Sequence, residues 1–513
     1  MDRKSWVLGI ATSFLLAAGS ARAQSVDDKI KSLEQELTQL KEQQVELKKE
    51  ATAAAAALPT FEYRPGNGLN IEAADKAWGI RFTLESHFRY EFESGRTQQG
   101  RSTAEIMGRR FRPGIFYCIN NCLWEIEATL DLDGFGTGNG KNSLNNATSS
   151  ILQRGAVNFH AENLHPFLPT VQFGMEVQNA FGTSLSRQGS GSVGAQAEYD
   201  LISRNNGFNT GRAGQGFALN WDDRSLSGIG IPGRIGKFQM SMASIGEGDD
   251  GLSSFRQGGK NFNLYGNIQP FSQIKNKWIS GLTFEAGNWF CNVDGRAQAQ
   301  VDNGCGLFRI QDHGDGGRQT LITTGDLGKG WAIARGAGIV YNVGPQTFRL
   351  AYTKESAADD GGTRANKKSK GWLIGDDLYV WSPKGFLTGS STTPGSVLLG
   401  THFERANIDV GCSNTPGGGN ILCSQTGIGG SITQFHRNTV LLREWDMWYF
   451  IAPRMSTGIN ILWYNATNLD NRVGQAGYNL GLCDKVNGGA TTNCRSGKGG
   501  DWVDVMLNWR YTF

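Results

Sequence analysis

The sequence predicts an all-β protein, a 16-stranded antiparallel transmembrane β-barrel with a short N-terminal α-helical coiled coil. Three observations predict it. From Trp78 to the C-terminus, apolar and polar residues alternate with a period of two in segment after segment. The polar set carries charges at a density that a packed core would not tolerate unpaired. The candidate strands number 16, an even count, as single-chain barrels require.

The chain of 513 residues has 71 Gly, 12 Pro, 10% aromatics and a mean hydropathy of −0.37. After residue 60 it shows almost none of the helical periods or Leu/Ile/Val runs of a soluble enzyme this long. Residues 1–23 read as a secretory signal: Arg3 and Lys4 start it, Trp6 to Ala18 form a short apolar core, and Ala21-Arg22-Ala23 gives an A-x-A cleavage site. That apolar run is shorter than the ~20 residues a spanning helix needs, and no later stretch reaches that length. Cleavage takes Arg3, Lys4 and Arg22 from the 50 basic residues and Asp2 from the 47 acidic ones, leaving a net charge of +1. This balance gives no bulk attraction to nucleic acid.

Residues 24–58 form the next segment, read as a periplasmic coiled coil. Ile30, Leu37, Gln44 and Ala51 repeat every seven residues, and Leu33, Leu40, Leu47 and Ala54 repeat in the matching frame. Only three heptads are good, so the pairing makes sense when another interface already holds chains together, or when the helix meets a periplasmic partner. The Ala run 52–57 and Pro59 end it.

Residues 59–513 form the barrel. Trp78, Ile80, Phe82, Leu84, Phe88, Tyr90 and Phe92 share one parity, and Arg81, Glu85, His87, Arg89, Glu91 and Glu93 the other. The same alternation recurs at 124–133, 171–178 and 459–463, and in the closing "DWVDVMLNWRYTF", where Trp502 and Met506 are the only apolar residues on the polar parity. Charges are harmless on a face that lines water, provided the opposite face meets lipid, and lipid requires the sheet to close on itself. The candidate strands are 78–94, 105–117, 123–133, 151–160, 169–178, 214–222, 235–245, 259–269, 277–290, 331–343, 346–355, 370–381, 399–410, 436–450, 455–465 and 502–513. Short links ("INN", "AENLHPFL", "PFSQIKN", "GP") alternate with long ones at 179–213, 291–330, 411–435 and 466–501. Phe513 ends the last strand with an aromatic residue suited to a membrane interface.

The eight cysteines fall into four close pairs, Cys118/Cys122, Cys291/Cys305, Cys412/Cys423 and Cys483/Cys494. In an exported chain these read as local disulfides, three stapling outer loops and one clamping a periplasmic turn. CxxC and CxxCH are missing, so redox and haem chemistry are not indicated, and no metal or other cofactor is expected. The histidines His87, His160, His165, His313, His402 and His436 are scattered, without HExxH or GxSxG context. No enzyme activity is expected.

Several segments resemble the phosphate-selective porins O and P of Gram-negative outer membranes. They are "GLNIEAADKAWGIRFTLESHFRYEFESG" (68–95), "GRRFRPGIFYCINNCLWEIEATLDLDG" (108–134), "RGAVNFHAENLHPFLPTVQFGMEVQNAFGTSLS" (154–186) and "IAPRMSTGINILWYNA" (451–466). The resemblance implies a homotrimer of 16-stranded barrels in outer-membrane lipid, with the third loop folded inward and arginines along the pore wall passing anions.

The double-arginine motif places Arg109 and Arg110 on that path. By parity Arg110 and Arg112 face the lumen with Arg81 and Arg89, whereas Arg109 shares the apolar parity, a conflict that a β-bulge would resolve. The alternative is that Arg109 and Arg110 pair with Glu125 and Glu127 on the next strand. The family's phosphate site also uses a third-loop lysine. Here 179–213 has no lysine and offers Arg187, Arg204 and Arg212. The acids Glu85, Glu91, Glu93, Glu125, Glu127, Asp131 and Asp133 oppose a purely anionic path. The expected function is therefore passive diffusion of small hydrophilic solutes or anions through a general or weakly anion-preferring channel. The alternative is an envelope tether, or a sheath around a partner protein.

Overall fold

The computed structural model describes residues 26–64, 68–94, 103–130, 132, 152–175, 215–227, 230–244, 260–276, 278–293, 309–311, 320–323, 330–359, 367–383, 393–413, 421–422, 435–452, 454–467, 483–485, 491–494 and 499–512. The chain divides into two compact units, Met1–Pro59 with Ala73–Asp75, and Thr60–Glu72 with Lys76–Phe513. In the first, helix α1 spans Val26–Ala57. It stops ahead of Pro59, whose missing N–H and clash with the preceding turn forbid continuation. Leu33, Leu37, Leu40 and Leu47, the seam read from the heptads, are exposed on it. The signal segment lies outside the described residues.

The second unit opens with a hairpin of β1 (Thr60–Arg64) and β2 (Gly68–Glu72). The wall strands follow: β3 (Trp78–Ser94), β4 (Thr103–Ile119), β5 (Trp124–Leu130), β6 (Leu152–His160), β7 (Thr170–Met175), β8 (Gln215–Ser225), β9 (Arg234–Ser244) and β10 (Lys260–Gln269). They continue with β11 (Leu282–Val293), β12 (Gly330–Val343), β13 (Gln346–Asp359), β14 (Lys367–Trp381), β15 (Val397–Ser413), β16 (Phe435–Ala452), β17 (Met455–Thr467) and β18 (Gly499–Thr512).

Each wall strand pairs antiparallel with the next, and β18 returns to β3 from Val503↔Ser94 to Thr512↔Glu85. The result is a closed 16-stranded antiparallel barrel, with every strand at the place the alternation predicts. Ends differ by a few residues for local reasons. The strand predicted from 277 begins at Leu282, because Trp278–Gly281 is spent on turns in which the Ile279 and Ser280 N–H groups donate to Asn276 O.

The parity conflict at the double arginine is settled by the backbone. Register runs His87↔Arg110 and then Phe88↔Gly108, skipping Arg109. One extra residue on β4 forms a bulge, so Arg110 and Arg112 align with His87 and Glu85 while Ile106 still meets Tyr90.

The β1–β2 hairpin, at residues 60–72, has no counterpart among the strands expected from sequence. There β2 pairs with β3 from Leu69↔Phe82 to Glu72↔Gly79, on the edge that β18 leaves open below Glu85. The hairpin therefore covers N–H and C=O groups that closure alone would expose. Gly68 permits this, since its φ is +85° and a Cβ there would lie 1.9 Å from Phe82 O. The Tyr63 and Tyr511 hydroxyls meet at 3.3 Å, tying the hairpin to the last strand.

The turn after β4 carries a Cys118–Cys122 disulfide across three left-handed residues, Asn120, Asn121 and Cys122. Cys291, in β11, is also disulfide-bonded. Cys483 faces Cys494 across a small separate ladder. Cys412 lies in β15, and Cys305, Cys423 and Phe513 are outside the described residues. Replacing Cys118 and Cys122 by Ser should cost about 2 kcal/mol, the loop-entropy value for so small a ring, read as a lower urea midpoint. An unchanged midpoint would mean that the backbone hydrogen bonds hold this turn alone.

Candidate functional site

Closure gives the alternating residues two different environments. Phe88, Leu350, Tyr352, Trp445, Met447, Ile461 and Trp509 project outward and are exposed. Their polar neighbours on the other parity point inward and are packed side by side. Among them, on strands adjacent in the wall, runs a hydrogen-bonded belt.

The belt starts on β13 with Arg349, whose guanidinium pairs with the Asp377 carboxylate on β14. Asp377 also receives His402 Nε2 from β15 at 3.1 Å. On β16, Glu444 stands directly opposite His402 in register, with Asp446 two residues on along the same face. Asn460 on β17 donates through Nδ2 to Asp446 Oδ1 and, at 3.3 Å, to Glu444 Oε1. Asn508 on β18 donates to Asn460 Oδ1 at 2.7 Å. Across the closure, Asn508 Oδ1 accepts from Arg89 Nε at 3.1 Å and lies 2.7 Å from His87 Nε2. Arg89 then reaches Glu91 at 3.5 Å. Seven strands thus contribute to one polar band, hydrogen-bonded from β13 to β15 and again from β16 across the closure to β3, in which the guanidiniums of Arg349 and Arg89 are offset by Asp377 and Glu91.

The rest of the inner wall follows the same logic with weaker charges. Asn263 donates to Gln239, Gln239 to Asn220, and Gln172 to Glu127. Nearer the turns, Arg112 faces Glu85 at 3.8 Å, and Arg81 faces Glu125 at 3.5 Å while lying over the Phe116 ring. The His160 Nδ1 and Thr170 hydroxyl groups both contact Glu162 in the turn beyond β6. Burial pushes the Glu162 carboxyl up, but the hydrogen bonds from Thr170 and His160 outweigh it and hold it below its ordinary range.

The inner face departs from the expectation that it lines water, because its central band is removed from solvent. Glu404, Glu444, Asp504 and Asn508 are 0% exposed, and Arg89 is 1% exposed. Apolar side chains share this face: Leu398, Tyr379, Trp448 and Phe450 form a buried cluster, Tyr464 stacks on Trp502, and Arg510 lies over Trp448. Wall charges are tolerated here by pairing along the wall rather than by hydration.

The predicted arginines separate accordingly. Arg89 sits in the belt, and Arg81 and Arg112 flank it through Glu125 and Glu85. Arg109 and Arg110 lie at the β4 bulge, with side chains outside the described residues. Glu125 and Glu127, the alternative partners of the double arginine, lie on β5, the strand paired with β4. Those acids sit opposite Cys118 and Phe116, nearer the turn, and meet Arg81 and Gln172. Arg187, Arg204 and Arg212 are outside the described residues. Sequence reading missed Arg349, Asp377, Glu444, Asp446, Asn460 and Asn508 as a group. Parity marks each one as inward, but only register joins them.

Among the described residues, two clusters have metal-ligand donors in proximity, Cys118/Cys122/Glu125 and His402/Glu444/Asp446. In the first, both thiols are consumed by the disulfide.

No protein-family model matches the sequence, and no curated protein does. Among solved structures, the chain is similar to the anion-selective porin from Comamonas acidovorans at 10% identity and a TM-score of 0.48, covering 85% of this chain and 100% of that one. It is similar to OprB of Pseudomonas putida at 11% identity and a TM-score of 0.43, covering 85% and 94%. It is also similar to Salmonella typhi OmpF at 11% identity and a TM-score of 0.42, covering 88% and 100%.

Proposed function

We propose that this chain is an outer-membrane channel of a Gram-negative bacterium, through which small hydrophilic solutes diffuse passively. The observation that carries the reading is the closed barrel with an exposed apolar outer face and a charged, hydrogen-bonded inner face. Only a hydrocarbon surround makes that inversion stable, and only closure satisfies every backbone group there. On this reading residues 1–23 are removed on export and the 24–58 helix lies in the periplasm. The barrels assemble as trimers, as the segments resembling the phosphate-selective porins imply.

The wall does not favour phosphate. Among the described inward residues, acids such as Glu91, Glu285, Glu355, Glu404 and Asp504 accompany the arginines Arg89, Arg349 and Arg510. An anion preference would have to come from Arg187, Arg204 and Arg212. The central band is buried by this chain alone, which favours a second reading, a barrel whose work is to anchor a partner rather than to conduct.

Planar-bilayer recordings decide between them. A channel gives discrete conductance steps, and a KCl gradient then gives a reversal potential that Arg212→Glu moves toward cation preference more than Lys368→Glu does. Equal shifts would remove the third loop from the ion path, and a silent membrane would favour the anchor.

A further inference from the structure

We propose that His402, Glu444 and Asp446 form a binding site for a divalent transition-metal cation of the zinc class in the barrel wall. One donor atom from each of the three lies within 4.8 Å of the other two. A tetrahedral ion with bonds of ~2.1 Å would draw them to about 3.4 Å, within reach of side-chain rotation. The donor set, one imidazole and two carboxylates, suits a borderline cation better than magnesium or calcium, which take oxygen ligands.

Two features beyond proximity point to a ligand. His402 presents Nε2 to Asp377 Oδ1 at 3.1 Å, and Asp377 is in turn held by Arg349. A carboxylate behind one ring nitrogen fixes the tautomer that leaves the other as an electron-pair donor, the usual support of a metal-bound histidine. That other nitrogen, Nδ1, is buried and has no hydrogen-bond partner among the described residues. Asp446 repeats the pattern. Asn460 occupies Oδ1, whereas Oδ2 is buried and has no hydrogen-bond partner among the described residues. Both side chains are more than nine-tenths buried, His402 at 1% and Asp446 at 5% exposure.

Electrostatics asks for the same thing. Glu444 and Asp446 are inward neighbours on one strand, and two ionised carboxylates so close in a dry wall need a cation or a shared proton. The nearby guanidinium of Arg349 is already engaged by Asp377. Gly375 lies opposite His402 in register, and a Cβ there would make ordinary van der Waals contact with His402 Cδ2 at 3.6 Å.

The test uses the full-length barrel in detergent, stripped with a chelator and equilibrated by long dialysis against zinc, with bound metal measured by mass spectrometry. The expected content is about one zinc ion per chain that His402→Ala and Asp446→Asn abolish. Asp377→Asn should weaken binding roughly tenfold by loosening the ring. His165→Ala, in an exposed turn, should keep the ion. Circular dichroism and heat-dependent gel mobility confirm that each variant is folded. Copper(II) substituted for zinc should show a paramagnetic resonance spectrum with coupling to a single nitrogen, lost in His402→Ala. Equal zinc in wild type and folded His402→Ala would overturn the site. So would a zinc-free wild type with a protonated-carboxyl infrared band that Asp446→Asn removes, since the acid pair would then hold a proton instead.

Discussion

Arg349→Ala should destabilise the barrel by about 3–5 kcal/mol, because it strips the Asp377 carboxylate of its guanidinium inside a dry wall. Both side chains are 1% exposed, so water cannot replace the lost partner. His402 remains against Asp377 but cannot supply a permanent charge. The double variant Arg349→Met with Asp377→Leu should recover most of the loss, since an apolar pair of similar volume leaves no uncompensated ion. Urea titration of the folded barrel in detergent reads both effects. If Arg349→Ala shifts the midpoint no more than an exposed lysine substitution does, the inner wall is solvated at this level. The anchor reading then falls, and the open channel gains.

Ile461→Arg should cost about 2–4 kcal/mol in a bilayer, the depth-dependent cost of a cation on the lipid face of a barrel strand. Ile461 sits mid-strand on β17, between Trp445 on one side and Val505 on the other, in an outward apolar row. The measurement is folding into liposomes against urea, with Ile461→Ala as the comparison that removes bulk without adding charge. A cost near zero would place this row in water or against a polar partner, and the membrane reading would fail with it. The adjacent Asn460, one residue away, faces the belt instead. Neighbouring positions on one strand therefore answer to opposite rules.

The strands themselves were legible because parity is a local property. Leu507 and Trp509 announce an outward face, and Asp504, Asn508 and Arg510 the inward one, within a single strand. The Cys118–Cys122 turn was legible for the same reason, its two ends being four residues apart. The β1–β2 hairpin was not. Its alternating pairs, Phe61 with Tyr63 and Leu69 with Ile71, flank a Pro-Gly-Asn-Gly turn and could have signalled it. Its place on the β3 edge follows only from where β18 stops. The arginine ladder was half legible: parity put Arg89 and Arg112 inside, but which acid each one meets follows from register, which cannot be counted from spacing.

By itself the sequence determined how many strands the barrel wall has, their order, which face of each is apolar, and that the sheet must close. Tertiary structure alone decided that His402 meets Glu444, that Asn508 spans the seam to Arg89, and that the inner charges are paired rather than bathed. The physical reason lies in range. Alternation is set between adjacent residues, whereas a cross-strand partner is chosen by the stagger of the whole closed sheet, which no single segment carries.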